Sequence, residues 1–434
     1  MATNASAIAK LVVPSPPFGR RKAPPRWSEE GRAILTAIIT ITISGVCLMT
    51  LGLSRPIFAS EGGSGSTGAA GGGLTPQEQA TVAAKWNESL KRKYGNNAVQ
   101  RPVEGVAHIK MTKYINGAPV KINVVEINPK LNPNLMIRPE TASSQLNAKA
   151  SIRSIAQKSE AIVAVNGGYF KPETGVPLGS LMIDNKTLTG PIYNRVGIGI
   201  AQNGSITNFS MGRVELNIEI KNRLMTFAAD NINQPRMLST YTLVYTREWG
   251  KISPMPPKYG AIAVVEDGKI TKITTEAVEI PQGGFVVSGP AEKINQLFGQ
   301  KNLKLEIGYP SEFEASNHIL GGGPYLVKNN EIYVDVQEQK LNAITGRNPR
   351  SAIGYTQDGI LIMVTVDGRE ESSVGMTLSQ LAKLMKDFEC YNAMNFDGGG
   401  SSVMYVNGKI ANTPAGSREG IAISNALTIR EIKG

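Results

Sequence analysis

Short β-rich runs joined by Asn-Gly and Asp-Gly pairs constrain this chain more than any other feature. Asn116–Gly117, Asp267–Gly268 and Asp358–Gly359 each separate two strand-like runs, and Asn407–Gly408 follows the alternating run Val403–Val406. Such pairs accept the positive φ angles that two-residue hairpins need. Helices are few. The clearest cover Ser151–Lys158 and Leu378–Asp387, and the second is opened by the capping box Thr377–Leu378–Ser379–Gln380. Leu378, Leu381, Leu384 and Met385 share one face of it. The texture is uniform from Gly105 to Gly434, with no fixed-period repeat and no internal linker. That length suffices for one large domain. The expected fold class is α+β, a single large mixed domain with a β-rich core, preceded by an N-terminal transmembrane helix and a linker.

The N-terminal organisation follows from charge. Residues 1–32 hold Lys10, Arg20, Arg21, Lys22, Arg26 and Arg32 against Glu29 and Glu30. Ala33–Leu53 then carries no charge and is long enough to cross a bilayer as a helix. The basic excess lies before it, so the tail is expected in the cytoplasm and the rest outside. A cleaved signal peptide is the competing reading, but Ile57–Phe58–Ala59–Ser60 is a poor cleavage site. Residues 54–73 form a flexible Gly/Ser-rich linker. Residues 74–104 form a helical lead-in, in which Thr75–Pro76–Gln77–Glu78 starts a helix expected to run to about Tyr94. Its face shows Val82, Trp86 and Leu90, so it docks on something, either its own domain or a partner.

Composition removes several chemistries. Cys47 lies in the expected span, which leaves Cys390 without a disulfide partner. His108 and His318 are the two histidines, too few for a multi-histidine zinc site. The net charge of +11 is shared with the basic tail, and no aromatic-basic stripe accompanies it, which argues against nucleic acid.

Five stretches share one design, in which a strand end carries Asn, Asp, Arg or glycine. They are Val165–Asn166–Gly167–Gly168–Tyr169–Phe170, Gly321–Gly322–Gly323–Pro324, Arg347–Asn348–Pro349–Arg350–Ser351, Val366–Asp367–Gly368–Arg369 and Asn395–Phe396–Asp397–Gly398–Gly399–Gly400–Ser401. Glycine runs let backbone N–H groups approach an anion, and Ser401 adds a hydroxyl. Taken together, the five suggest a shared cleft.

These motifs, in this order, resemble the phosphodiester glycosidase family, the N-acetylglucosamine-1-phosphodiester alpha-N-acetylglucosaminidase-like or uncovering-enzyme-like domain. The resemblance covers about Gly105–Gly434. It implies an α+β domain that hydrolyses sugar–phosphodiester linkages in a cleft built from these blocks. One departure is Arg418, which lies farther from Asn425–Ala426–Leu427 than the family pattern leads one to expect, and it receives no role.

Cleavage at an anomeric carbon passes through an oxocarbenium-like state and ordinarily uses two carboxylates. Asp367 and Asp397 are the acidic residues at strand ends within the blocks. One is expected to activate water or attack the anomeric carbon, and the other to orient it or stabilise positive charge. Arg350 is expected to clamp phosphate in bidentate fashion, with Arg347 nearby. Asn166 and Tyr169 are expected to hold sugar hydroxyls, and Gly167, Gly322, Gly323, Gly398, Gly399 and Ser401 to line the substrate. No cofactor is required by this chemistry. Two rivals stay open. A metal-dependent phosphodiesterase would use Asp367, Asp397 and Asn166 as ligands for Ca²⁺ or Mg²⁺. A noncatalytic module would bind envelope polysaccharide only. The expected partners are an envelope glycan or sugar phosphodiester and, through residues 33–53, a membrane.

Overall fold

The computed structural model describes residues 74–204 and 206–432. The expected span at Ala33–Leu53 and its linker lie outside them, and no helix among the described residues is long and apolar enough to cross a membrane.

The α+β expectation is corrected. The described residues build 26 strands in five sheets, a propeller-like arrangement, and helices are minor additions to it. The α-helices among the described residues are Pro76–Tyr94, Ile152–Lys158, Ala291–Ile294 and Leu378–Asp387. The caps at Thr75 and Thr377 mark two of these helices in the sequence, whereas the many short runs between the helices pair as strands. Several of those strands are two or three residues long, such as Asn231–Ile232 and Lys409–Ile410, too short to show a period of two.

The principal sheet has eight antiparallel strands. Its centre runs, in order across the sheet, through Ala118–Ile127, Leu361–Val366, Arg350–Tyr355, Asn392–Asn395 and Tyr325–Lys328. Leu361–Val366 is an unbroken buried run because both of its faces are covered. Ile362, Val364 and Val366 pack under the helices, against Leu381, Met385 and Phe388. Leu361 and Met363 face the opposite core with Ile353, Met394 and Phe396. Each such side chain contributes about 1.5–3 kcal/mol of burial.

The helix Pro76–Tyr94 docks on its own chain. Trp86, Leu90 and Tyr94 enter the core of the principal sheet. Glu126, fully buried, accepts hydrogen bonds from Trp86 Nε1 at 3.0 Å and Tyr94 Oη at 2.5 Å, and Lys93 pairs with it. Buried polar groups persist only when partnered in this way, so this helix is part of the packed body.

A second sheet, of five strands, places Val163–Asn166 between Met404–Val406 and Asn425–Glu431. A third holds His318–Gly321 beside Val196–Asn203. Two further sheets, built from strands lying between Asn217 and Gly308, enclose a separate core around Ile220, Val244, Val265 and Val287. Three of the hairpin pairs behave as expected, with Asn116, Asp267 and Asn407 at φ of 53°, 48° and 46°, whereas Asp358–Gly359 lies in a longer loop, residues 356–360, and only its glycine has a positive φ.

Topology then fixes where chemistry can gather. Arg350–Tyr355 is antiparallel to both Leu361–Val366 and Asn392–Asn395. The start of the first strand therefore lies beside the ends of the other two. Arg350, Asp367 and Asp397 share one end of the principal sheet, and the second sheet delivers Asn166 to the same place.

Candidate functional site

Asn166 is the knot. Its Nδ2 donates to the Asp397 carbonyl at 2.7 Å across 231 residues of sequence. Its Oδ1 accepts from Ser351 Oγ at 2.6 Å and from the Val403 N–H at 3.1 Å. The Asp397 N–H in turn donates to the Gly167 carbonyl at 3.1 Å. Asn166 is buried, and this amide joins three strand ends. It shapes the site through three hydrogen bonds to the scaffold.

The glycines are reassigned. Gly322 N–H donates to the Val196 carbonyl at 2.9 Å, Gly323 N–H to the Asn395 carbonyl at 2.7 Å, and Gly167 N–H to the Asn425 carbonyl at 3.0 Å. Gly399 N–H donates to the Pro349 carbonyl at 2.9 Å. These donors serve the protein and do not await an anion. Glycine is required because the strand ends nearly touch. A Cβ on Gly168 would collide with the Gly321 carbonyl oxygen, and one on Gly323 would collide with Gln339 Oε1. Close backbone approach, not anion cradling, explains the runs.

Arg350 also departs from its expected part. Its Nε donates to the Met376 carbonyl at 3.0 Å, and Nη2 donates to the carbonyls of Ile344 and Gly346 at 2.8 and 2.7 Å. A guanidinium so engaged keeps Nη1 for a ligand in place of the two-nitrogen fork. Burial lowers its pKa, while the neighbouring Tyr169 favours its charge. It fixes the loop before its own strand and supplies positive field. Arg347 is exposed and makes no hydrogen bond among the described residues.

Asp367 is buried, and its Oδ1 accepts from Asn412 Nδ2 and the Thr413 N–H, both at 3.0 Å. Desolvation raises its pKa, and these two bonds oppose the rise. It anchors the 412–413 segment. It shares its sheet end with Asp397, and its Oδ1 is held by the scaffold.

Asp397 stands differently. Its carboxylate is partly covered, and Oδ1 accepts from the Gly398 N–H at 3.0 Å. Desolvation pushes its pKa up to about 6, with the Ser401 hydroxyl, the Gly398 N–H and the Arg195 charge pulling the other way. Such a carboxylate is poised to exchange a proton near neutral pH. Gly398 caps a single 3-10 turn, Gly399–Ser401, that places Ser401 beside it.

Tyr169 lies across the site. Its hydroxyl donates to the Gly323 carbonyl at 2.7 Å and accepts from Asn395 Nδ2 at 2.9 Å. Burial raises its pKa, and so does the Asp397 charge, so the phenol stays protonated. Both hydroxyl bonds are internal, which leaves the ring rather than the oxygen as its contribution.

Sequence reasoning passed over two arginines. Arg195 lies with its guanidinium carbon 4.8 Å from the Tyr169 ring centroid. It is buried, and Nε and Nη1 have no hydrogen-bond partner among the described residues. Desolvation lowers its pKa, and Tyr169, Tyr193 and Asp397 oppose this. A buried guanidinium with unmade hydrogen bonds is costly and calls for an anion. Its signal was available: like Arg350, it directly precedes or opens a strand, here Val196–Asn203. Arg369 donates to Asn348 Oδ1 at 3.0 Å, and its Nη2 lies 3.1 Å from where a Cβ on Gly399 would be. The residue was within a recognised block, but its φ of 66°, which turns it back toward Gly399, was not legible.

Fold and site together define a β-rich domain in which a carboxylate with a raised pKa lies within the field of a buried guanidinium. Residues 259–430 match the family described as phosphodiester glycosidase, in line with the resemblance that the strand-end motifs carry. An N-acetylglucosamine-1-phosphodiester alpha-N-acetylglucosaminidase of Bos taurus is 29% identical over 154 residues, 31% of this chain and 29% of the bovine protein. The SPbeta prophage-derived uncharacterized protein YomE of Bacillus subtilis is 42% identical over 83 residues, 19% of this chain and 13% of that protein. The chain therefore spans less than a third of the length of these relatives. A hypothetical protein from Synechocystis shares the fold, with a TM-score of 0.68 and 22% identity, over 77% of this chain and 64% of its own.

Proposed function

We propose that this protein hydrolyses glycosyl-1-phosphodiester linkages by breaking the bond between the anomeric carbon and oxygen. The observation that carries the reading is the Asp397 carboxylate, with its pKa near 6, under the charge of the buried, unpartnered Arg195. Arg195 receives the phosphate, with Arg350 and Arg369 adding field. Ionised Asp397 either draws a proton from water or attacks the anomeric carbon. The departing phosphomonoester is a stable anion and needs little help from an acid, so one carboxylate suffices where an ordinary glycosidase uses two. Arg195 gains most as charge develops on departure, which is where binding accelerates a reaction.

Hydrolysis in ¹⁸O-water should place the label on the sugar and leave the phosphate unlabelled. Label in the phosphate, with loss of turnover in chelator, would overturn the reading in favour of the metal-dependent rival. Two features of the site bear on that rival: Asn166 Oδ1 already accepts two hydrogen bonds, and no three His, Cys, Asp or Glu groups cluster among the described residues.

The substrate belongs to the cell envelope in this reading, and the catalytic domain is exported behind the charge-free Ala33–Leu53 stretch and its basic leader. Protease added outside intact cells should remove the domain and spare the tail. A tail digested together with the domain, or a domain left intact, would overturn this orientation.

A further inference from the structure

A cleft of about 720 Å³ opens at Tyr193, beside the site, and cleavage of a single linkage makes no use of it. The Tyr193 ring centroid lies 5.6 Å from the Arg195 guanidinium carbon and 4.9 Å from Lys340 Nζ. Since Arg195 also covers Tyr169, ring and cation alternate outward from the site: Tyr169, Arg195, Tyr193, Lys340. Three of the residues in and beside this row are held in the left-handed region: Tyr193 at φ 50°, Asn194 at 53° and Lys340 at 53°. Bulky side chains adopt that conformation rarely, and when held there they cluster at ligand clamps.

The charges of the cleft are unequal in their freedom. Glu338 lies 3.1 Å from Arg213, which it shares with the buried Asp335, and Asp230 Oδ2 accepts from the Thr242 N–H at 2.7 Å. Lys340 forms no ion pair among the described residues, and its neighbour is the Tyr193 ring. The facing wall offers Tyr241 with the exposed side chains of Met237 and Leu238.

We propose that this cleft is a second subsite, which holds the next unit of a repeating sugar–phosphate polymer. The next sugar lies against Tyr193, and its phosphodiester is met by Lys340. The proposal rests on the hydrolase reading above for the first unit. It follows from the repeat of the row itself, because alternating rings and cations complement alternating sugars and phosphates. A lipid-like leaving group would use Met237 and Leu238 but would have no use for Lys340.

The test compares kcat/KM of the full-chain protein on a methyl sugar-1-phosphodiester of one unit and on a synthetic sugar–phosphate oligomer of several units. The oligomer should be preferred through a lower KM, and the preference should weaken with salt. In Lys340→Asn and Tyr193→Asn, chosen because asparagine tolerates positive φ, the oligomer-to-single ratio should fall about tenfold, the scale of one desolvated cation interaction. Tyr193→Phe should restore it. A ratio unchanged in both asparagine variants overturns the subsite, as does a preference for a long-alkyl phosphodiester that is lost in Leu238→Asn and kept in Lys340→Asn. Calorimetric binding of the oligomer to Asp397→Asn protein separates the two proposals. If binding depends on Lys340 while wild type cleaves neither probe, the subsite stands and the hydrolase reading falls. If the single unit is cleaved and oligomer binding is indifferent to Lys340, the reverse holds.

Discussion

Replacing Asp397 by Asn should lower turnover of a sugar phosphodiester at least ~10²-fold, the scale of losing one acid–base group. The amide keeps the shape and can still accept from the Gly398 N–H, so substrate affinity should survive. In wild type, kcat/KM should rise with pH through a midpoint near 6, because the ionised carboxylate is the working form and its pKa is pushed up to about 6. The phosphodiester itself has no titration in that range to confuse the profile. Stability should move the opposite way to activity. The folded pKa lies above the unfolded one, so as pH rises from about 4 to 6 the unfolded chain loses its proton first and the native state loses stability relative to it. Above that window the deficit is constant. Asp397→Asn, which cannot ionise, should therefore be more stable than wild type at pH 7 by on the order of 2 kcal/mol, and equal to it below about pH 4. Equal turnover in the variant would remove Asp397 from the chemistry, and a variant that fails to fold would make the glycine turn purely structural.

Arg195→Gln should reduce kcat/KM by about 10²–10³-fold, the range for removing one donor that stabilises developing charge. Inhibition by inorganic phosphate should weaken in parallel, which reports the anion site without turnover. Arg195→Lys should not rescue the loss, since an ammonium retains the charge but neither the planar fork nor the stacking on Tyr169. The melting temperature of Arg195→Gln should hold or rise. Nε and Nη1 carry three N–H bonds without partners, and a buried polar group left unsatisfied costs about 1–3 kcal/mol, which offsets the two cation–ring attractions of about 1–2 kcal/mol each that glutamine gives up. A variant that melts early while keeping its phosphate inhibition would identify Arg195 as a packing residue.

Local signals were read accurately where the physics is local. Thr75 and Thr377 each close a capping box, as their sequences predict. A cap joins residues three apart, so the sequence holds both partners. The same holds for the Asn-Gly turns. The fold class was misjudged because strands such as Met404–Val406 owe their existence to partners such as Val163–Asn166, which are hundreds of residues away.

What the sequence determined by itself is the set of strand ends that meet: the blocks at Asn166, Gly322, Arg350, Asp367 and Asp397 are all strand-end residues, and antiparallel pairing brings the last three to one end of a sheet. What only the tertiary structure decided is which of those side chains are left free. Residue type gives hydrogen-bonding capacity, but its use depends on which carbonyls stand nearby. For Arg350 those are Ile344, Gly346 and Met376, and for Asn166 the partners are Ser351, Asp397 and Val403. Both residues are tied to the scaffold, Arg350 through Nε and Nη2 and Asn166 through Oδ1 and Nδ2. Arg195, outside every block, meets aromatic rings where a carbonyl would have satisfied it, and so its Nε and Nη1 have no protein partner among the described residues.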